Sequence, residues 1–538
     1  MKPILNRRDF LRLTAMSVAC PLLTSCGAGV KDAYAKKTKP NVLFIIVDDL
    51  NDWVLHPPGH PEVKTPNIDR LREKSVSFTN AHAVVPVCGP SRKCLFSGLY
   101  PQTINDYDFD AWKSNPILKN SVPVPQHFRN NGYGSYGTGK LVHRGAEGDF
   151  YTDYGIASDY GPWPWQGKGK PENTPHSTQS EEWKKHLPTP MHRDLNFGPL
   201  SDVPDWEKGA VKGIPGAKGW YNTNGKPFKY VDAKNRDMTP NEVSADWAID
   251  IINKKHDRPF YLGVGFIRPH TPLYAPKKYF DMFPIDQIQL PPYLKDDLKD
   301  CAPVLCHRWQ WGYKKYEALI AAGGEKAWRQ WVQAYLACMA FVDDQIGKVL
   351  YALENSAYAD NTIIVLTADN GYRVGEKDCI QKWHLWDEST RVPLLIHVPG
   401  FKEQDQACDH PISLIDVYPT LIDLCGLFSE PNKGRSGKPL EGHSLRPFLT
   451  NPKRKDWDGP SVAFMGIRDI HFSNPKSKKH MPHFSVRSRR YRYALCGNGQ
   501  EELYDHKNDP HEWTNLAGIA EYEDVKKKLR KELTSILH

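Results

Sequence analysis

Residues 40–52 read PNVLFIIVDDLND. Six apolar residues in a row, Val42 to Val47, break off at two acids, Asp48 and Asp49. A run without polar alternation predicts a strand buried on both faces, the habit of parallel sheets covered by helices. Asp48 and Asp49 then stand at the carboxyl end of that strand, where open α/β sheets build their sites. The theme returns at 361–371, NTIIVLTADNG, where an apolar strand ends in Asp369-Asn370-Gly371. PFYLGVGF (259–266) and TRVPLLIHVPG (390–400) read as further strands. FRNNGYGSYGTGKLVH (128–143) reads as helix end, glycine stop, strand, then a loop with Lys140 and His143. Helical spacing marks 244–255, 333–355 and 414–426, and TPNIDRLREK (65–74) places Pro66 in a first helical turn with Ile68 and Leu71 on one face.

Alternating strands and helices predict an α/β fold, a large mainly parallel or mixed sheet sandwiched by helices. The last stretch differs. Residues 484–518 read as short strands around a hairpin, and EYEDVKKKLRKELTSIL (521–537) as an amphipathic helix. A smaller C-terminal α+β subdomain is expected at 456–538, after a main domain at 41–455. Within the latter, 150–230 is rich in tryptophan, glycine and proline and lacks periodicity, which predicts a long loop-rich insertion.

With 538 residues, 40% hydrophobic and 25% charged, the composition is that of an ordinary soluble protein. The formal charge of +8 is a modest excess over a large surface, and no nucleic-acid partner is expected. NRRDFLRLTAMSVACPLLTSC (6–26) carries Arg7-Arg8 and a short apolar run. It reads as a signal at 1–25, similar to a twin-arginine export signal. Leu23-Thr24-Ser25-Cys26 resembles a lipobox, with plain secretion as the alternative. Residues 26–40 read as a flexible tether. The expected location is outside the bacterial cytosol, in the periplasm or at the cell surface, with membrane contact only through a lipid on Cys26. The 11 cysteines show no CxxC pair and no zinc spacing. Cys301 and Cys306 are near enough to bridge, but buried thiols are favoured for most of them.

Asp48-Asp49 and Asp369-Asn370 offer hard oxygen ligands, and together could hold one divalent cation such as Ca²⁺. Singly, Asp-Asp at a strand end or Asp-Asn-Gly in a turn is commonplace. Lys140, His143, His270 and Lys382 add cations and bases after strands or in loops, where a lone residue of this kind is more often structural. Arg92 falls in the first turns of a helix beginning near Cys88, and a helix N-terminus there favours an anion.

CGPSRKCLFSG (88–98) resembles the sulfatase signature, C-x-P-S-R followed by a short helix and glycine. NVLFIIVDD, TPNIDRL, GKLVH, RPHTP, TADNG and LWDESTRVPLL resemble that family's other blocks in its order, and ELYDHKNDPHEWTNLA (502–517) resembles its C-terminal subdomain. YDFDAW, FGPLSDVPDW, DWAIDII and FIRPHTPLYAPKKYF lean toward the iduronate-2-sulfatase-like branch. The resemblance implies an alkaline-phosphatase-like fold and hydrolysis of a sulfate ester on a sulfated carbohydrate, such as a uronate 2-sulfate of a glycosaminoglycan or algal polysaccharide. It implies conversion of Cys88 to Cα-formylglycine by a maturase, and one Ca²⁺ on Asp48, Asp49, Asp369, Asn370 and the modified Cys88. It further implies that Arg92 stabilises the formylglycine hydroxyl, that Lys140 and Lys382 clamp sulfate oxygens, that His270 protonates the leaving oxygen and that His143 helps deprotonate the remaining hydroxyl. An extra His384 beside Lys382 is better read as a loop histidine than as a substrate contact.

Two rival readings compete. A phosphate or phosphonate ester hydrolase of the same superfamily would present a similar cation clamp. An inactive, surface-tethered glycan-binding protein is disfavoured because every catalytic position is filled.

Overall fold

The apolar run of the opening is the hub of the main sheet, with none of Val42–Val47 more than 1% exposed. The computed structural model describes residues 39–538 apart from 56–58, 144–147, 166–169, 171–173, 175, 178, 180–184, 187–194, 203–218, 224, 307–310, 402–404 and 469–480. The expected signal at 1–25, Cys26 and the tether up to residue 38 lie outside the described residues, as does part of the 150–230 insertion.

In chain order the main sheet contains β1 (Asn41–Val47), β2 (Val76–Phe78), β3 (Gly134–Gly139), β4 (Asp153–Tyr154), β5 (Phe260–Phe266), β6 (Thr362–Ala368), β7 (Leu394–His397) and β8 (Gln406–Cys408). In space they run β8-β2-β7-β6-β1-β5-β3-β4. β1 is parallel to both neighbours, Ile45 lying opposite Val264 of β5 and Leu366 of β6. β7 alone runs against the rest, antiparallel to β6 and to β2. Its fully apolar start looks the same in either direction, so periodicity could not show the reversal.

The helices that matter here are α1 (Pro66–Arg72), α2 (Cys88–Ser97), α3 (Val124–Asn130), α4 (Pro240–Asn253), α5 (Trp311–Glu354), α6 (Val417–Cys425) and α7 (Glu523–Leu537). They form two layers: α1, α4 and α5 pack together in one, α2, α3 and α6 in the other. α5 extends the expected 333–355 helix towards the N-terminus and is broken at Gly324, whose φ of 57° lies outside helical space. Among the described residues no helix is long and apolar enough to cross a membrane.

A second sheet closes the chain: β9 (Ala463–Arg468), β10 (Pro482–Arg487), β11 (Tyr491–Leu495) and β12 (Glu501–Asp505), antiparallel throughout. α7 lies on β10 and β11 and buries Leu529 and Leu533 there. The 150–230 insertion folds partly on itself. Its strands at 163–165, 219–221 and 227–228 pair, and Leu200, Trp220, Phe228 and Tyr230 pack with Tyr274 in a small separate core.

Candidate active site

Parallel strands that are neighbours in space end side by side. β1 delivers Asp48 and Asp49, β6 delivers Asp369 and Asn370, β3 delivers Lys140, and the turn after β5 delivers His270. α2 starts at the same place. Val87 before it is extended, Cys88 is its first residue, and all ten residues of the helix are buried. Arg92, one turn on, shares the face of Cys88. The approach of β3 to β5 is unusually close because Gly139 lies opposite Gly265. Gly139 has a φ of 73°, and a Cβ on Gly265 would run into the Lys140 backbone. Glycine at both positions lets the chain bend so that Lys140 reaches the end of β1.

The side chains form one buried network. Lys140 Nζ is paired with Asp48 Oδ2 and Lys382 Nζ with Asp49 Oδ1. Arg92 Nε donates to Asp369 Oδ2 at 2.7 Å, and its Nη2 lies 3.8 Å from Asp48 Oδ1. Arg92 Nη1 donates to the carbonyls of Lys140 and Leu141, tying α2 to the end of β3. Asn370 Nδ2 donates to Asp49 Oδ1 at 2.7 Å, and Asp49 N–H to Asp369 Oδ1 at 3.2 Å. Cys88 Sγ lies 3.6 Å from His143 Nδ1, and His270 Nε2 lies 3.8 Å from Asp49 Oδ2. All ten predicted site residues therefore converge.

Electrostatics differ sharply between the two adjacent acids. Burial penalises the Asp48 carboxylate, but Lys140, Lys382 and Arg92 outweigh that penalty and hold it at about 2. Burial pushes Asp49 up to about 6 against the pull of Lys382, with Asp48 and Asp369 adding to the rise. Burial, then Lys382 and Lys140, push His270 well below the usual imidazole value, so the ring is neutral. Its Nδ1 lies 2.6 Å from the Thr271 carbonyl, which assigns the hydrogen to Nδ1 and leaves Nε2 as an acceptor. Burial also raises the Cys88 thiol despite Lys140 and Lys382. Unmodified, it is a protonated and weak nucleophile.

The donor set fits a hard divalent cation. Ligand atoms of Asp48, Cys88 and Asp369 lie within 4.8 Å of one another, as do those of Asp48, Asp49 and His270. Asp48 Oδ1 and Asn370 Oδ1 are buried without a hydrogen-bond partner. Two orphaned oxygens beside further carboxylates are what an oxygen-seeking ion satisfies.

The sulfatase family model matches residues 40–427, and the model for the C-terminal region of N-sulphoglucosamine sulphohydrolase matches 375–538. The chain belongs to the sulfatase family. A sulfatase of Formosa agariphila is 34% identical over 512 residues, covering 92% of this chain and 86% of the relative. The iduronate 2-sulfatase of Mus musculus is 30% identical over 424 residues, covering 72% and 69%. The phosphonate monoester hydrolase of Agrobacterium radiobacter superposes with a TM-score of 0.66 at 22% identity over 92% of this chain and 95% of that one, a likeness of fold. This sulfatase is thus an enzyme that hydrolyses sulfate esters.

The sulfatase site also holds residues that sequence reasoning missed. Tyr160, from the insertion, sets its ring 4.9 Å from that of His270 and 5.1 Å from Lys140 Nζ. Arg268 pins that corner, donating to the carbonyls of Tyr160 (2.9 Å), Tyr274 (3.2 Å) and His270 (3.2 Å). Tyr335 of α5 donates to the Asp49 carbonyl at 2.7 Å. Phe109 packs on the His143 ring at 4.7 Å and meets Trp383 edge-on at 5.6 Å. Tyr160 sits in an irregular stretch without any local signal, and Tyr335 looks like one more apolar-face residue of a helix. His384 lies in a loop, as favoured, but is buried among Tyr313 and Trp386 with Nδ1 4.0 Å from Cys379 Sγ. The insertion's Trp163 and Trp220 are buried in loop packing and form no exposed platform for a sugar ring.

Proposed function

We propose that this sulfatase removes sulfate from a sulfated carbohydrate, with residue 88 matured to Cα-formylglycine and Ca²⁺ held by Asp48, Asp49, Asp369, Asn370 and the modified residue. The observation that carries the reading is the convergence of three carboxylates, two lysines and the first residue of α2 on one buried spot. A uronate 2-sulfate is the favoured substrate class, supported by the likeness to iduronate 2-sulfatase. The paired arginines and lipobox-like Cys26 support export to the periplasm or cell surface after maturation by a formylglycine-generating partner.

A hydrated formylglycine supplies an oxygen nucleophile and a second hydroxyl whose deprotonation expels sulfate. Bound Ca²⁺ would supply Lewis acidity toward a sulfate oxygen. The remaining work belongs to the side chains. Arg92, locked by Asp369 and two carbonyls and with Nη2 3.8 Å from Asp48 Oδ1, steadies the hydroxyl of residue 88 one helical turn before it. Lys140 and Lys382 bring two buried positive charges for the sulfate oxygens and hold them without reorganisation. His143, touching residue 88, accepts the proton of the remaining hydroxyl. His270 is neutral with Nε2 open, so it serves as acid only after taking up a proton, which an arriving sulfate monoanion favours.

The test is mass spectrometry of the peptide containing Cys88, from protein made with a maturase, together with turnover of sulfated oligosaccharides. Aldehyde in place of thiol is expected, and Cys88→Ala should cut turnover at least ~10⁴-fold with the fold retained. Wild-type turnover by Cys88→Ala would overturn the mechanism. Faster release of phosphate or phosphonate than of sulfate would overturn the substrate class.

A further inference from the structure

Asp48 and Asp49 are consecutive, and successive residues of a strand point to opposite faces. Asp48 still follows its strand, with its N–H donating to the Phe266 carbonyl at 3.0 Å. Yet ligand atoms of Asp48, Asp49 and His270 lie within 4.8 Å of one another. The backbone resolves the conflict at Asp49, whose φ of 58° is left-handed. That conformation is unfavourable for a residue with a Cβ, so its surroundings must hold it. Tyr335 of α5 does so from one side. Its hydroxyl donates to the Asp49 carbonyl at 2.7 Å and accepts the Asn51 N–H at 3.1 Å. One oxygen thus bridges the turn, and Asp49, Asn51 and Tyr335 are all buried. The ring is itself fixed. Tyr372 stacks on it at 5.6 Å, and Trp53 meets it edge-on at 5.7 Å. Trp53 is tied back to the turn, its N–H donating to Asn51 Oδ1 at 3.4 Å. On the other side of Asp49, its N–H donates to Asp369, and Asn370 and Lys382 engage its Oδ1.

We propose that Tyr335 is a positioning residue for the cation site, its hydroxyl locking the left-handed turn that keeps the Asp49 carboxylate beside that of Asp48. This role rests on the cation reading above and assigns part of that site's preorganisation to helix α5. Tyr335 acts through the Asp49 backbone, not through the carboxylate that would meet the ion. Without the hydroxyl, the Asp49 carbonyl and the Asn51 amide lose a buried partner. The turn then relaxes toward extended backbone, which swings the two carboxylates apart, and their like charges favour the separation. A cation must restore the turn as it binds, so its apparent affinity falls with the fraction of chains already in the competent shape.

Calorimetric titration of Ca²⁺ into chelated full-length protein, wild type against Tyr335→Phe, tests it. Phenylalanine keeps the ring and its stacking and removes the bridge alone. The Ca²⁺ dissociation constant should rise about tenfold. Sulfate release lost at limiting Ca²⁺ should return when Ca²⁺ is saturating. Tyr418→Phe is the control for a lost buried hydroxyl. Tyr418 lies in the opposite helix layer and donates to the Val122 carbonyl at 2.9 Å. Its variant should lower Tm without moving the dissociation constant. Wild-type affinity in Tyr335→Phe would overturn the proposal, as would an equal weakening by Tyr418→Phe. A wild-type protein that binds no Ca²⁺ would overturn the cation reading and this role with it, a result distinct from normal binding by both proteins. If Tyr335→Phe folds too poorly to titrate, hydrogen exchange of the wild type decides. Ca²⁺ should slow exchange of the Asn51 amide, because lock and ion favour each other reciprocally, and an unchanged rate would overturn the proposal.

Discussion

Asp369 joins the end of the first strand to Arg92. One carboxylate oxygen accepts the Asp49 N–H at 3.2 Å, and the other accepts Arg92 Nε at 2.7 Å. Asp369→Ala is expected to weaken Ca²⁺ binding at least ~10-fold, read by calorimetric titration of chelated protein, because it deletes a hard ligand and takes from Arg92 its nearest carboxylate. An unchanged affinity would remove Asp369 from the site. Tyr160 makes a different kind of contact, covering Lys140 and His270 from the insertion. Tyr160→Phe keeps the ring and loses the hydroxyl. A drop in kcat/KM of about tenfold, with the far-UV spectrum unaltered, is expected if that hydroxyl holds Lys140 in place.

Helix α1 begins as its sequence suggests, with Pro66 in its first turn, yet Thr65 makes no side-chain cap. The cap comes from α5. Asp343 Oδ1 accepts the Ile68 N–H at 2.8 Å, and Oδ2 accepts the Asn67 N–H at 3.2 Å and its side-chain amide at 2.8 Å. No local pattern announces a cap supplied from such a distance along the chain. Burial outweighs these bonds and raises Asp343 to about 6. The folded state then keeps a proton that the unfolded chain has lost. Its contribution to stability is complete below the ordinary carboxyl value of 3.8 and disappears as pH rises through about 6. Asp343→Asn should flatten the fall of unfolding free energy across that window by up to about 1.4 kcal/mol per pH unit, measured by denaturant titration at stepped pH. Parallel slopes for the two proteins would show that Asp343 does not titrate there.

The C-terminal sheet grips the segment that carries Lys382. Glu512 accepts the Asp387 N–H at 3.0 Å, pairs with Arg492 and with His506 Nε2 at 3.0 Å, and its carbonyl accepts Lys377 Nζ. Glu502 accepts the Trp386 indole N–H at 3.1 Å. Burial works against the Glu512 carboxylate, but Arg492 and His506 prevail and hold it at about 2. That depressed value means stability present above the ordinary 4.5 and lost as pH falls toward 2. Glu512→Gln takes the nearer of two carboxylates from buried Arg492, which keeps Glu502 at 3.3 Å, and should cost up to about 3 kcal/mol. Scanning calorimetry should show the lower Tm. The acid limb of stability should also shift, and sulfate release should slow as the Lys382 segment loosens. An unchanged Tm would mean the clamp is ornamental.

Strand and helix positions were legible because they depend on local periodicity. Val42–Val47 and Thr362–Ala368 could only be strands buried on both faces, and their acids had to fall at carboxyl ends. The C-x-P-S-R stretch and its companion blocks, read as a resemblance, named ten residues that the fold does bring together. The antiparallel course of β7 was not legible, nor was the burial of Trp163 and Trp220, nor the parts played by Tyr160, Arg268 and Tyr335. Those depend on which segments meet across hundreds of residues, and on burial that turns chemically equal acids such as Asp48 and Asp49 into unlike groups. Sequence alone determined the elements and their chemical endowment, since short-range sterics and the hydrophobic pattern decide those. Only the tertiary structure decided their partners, charges and vantage on the site, because long-range packing sets distance and dielectric.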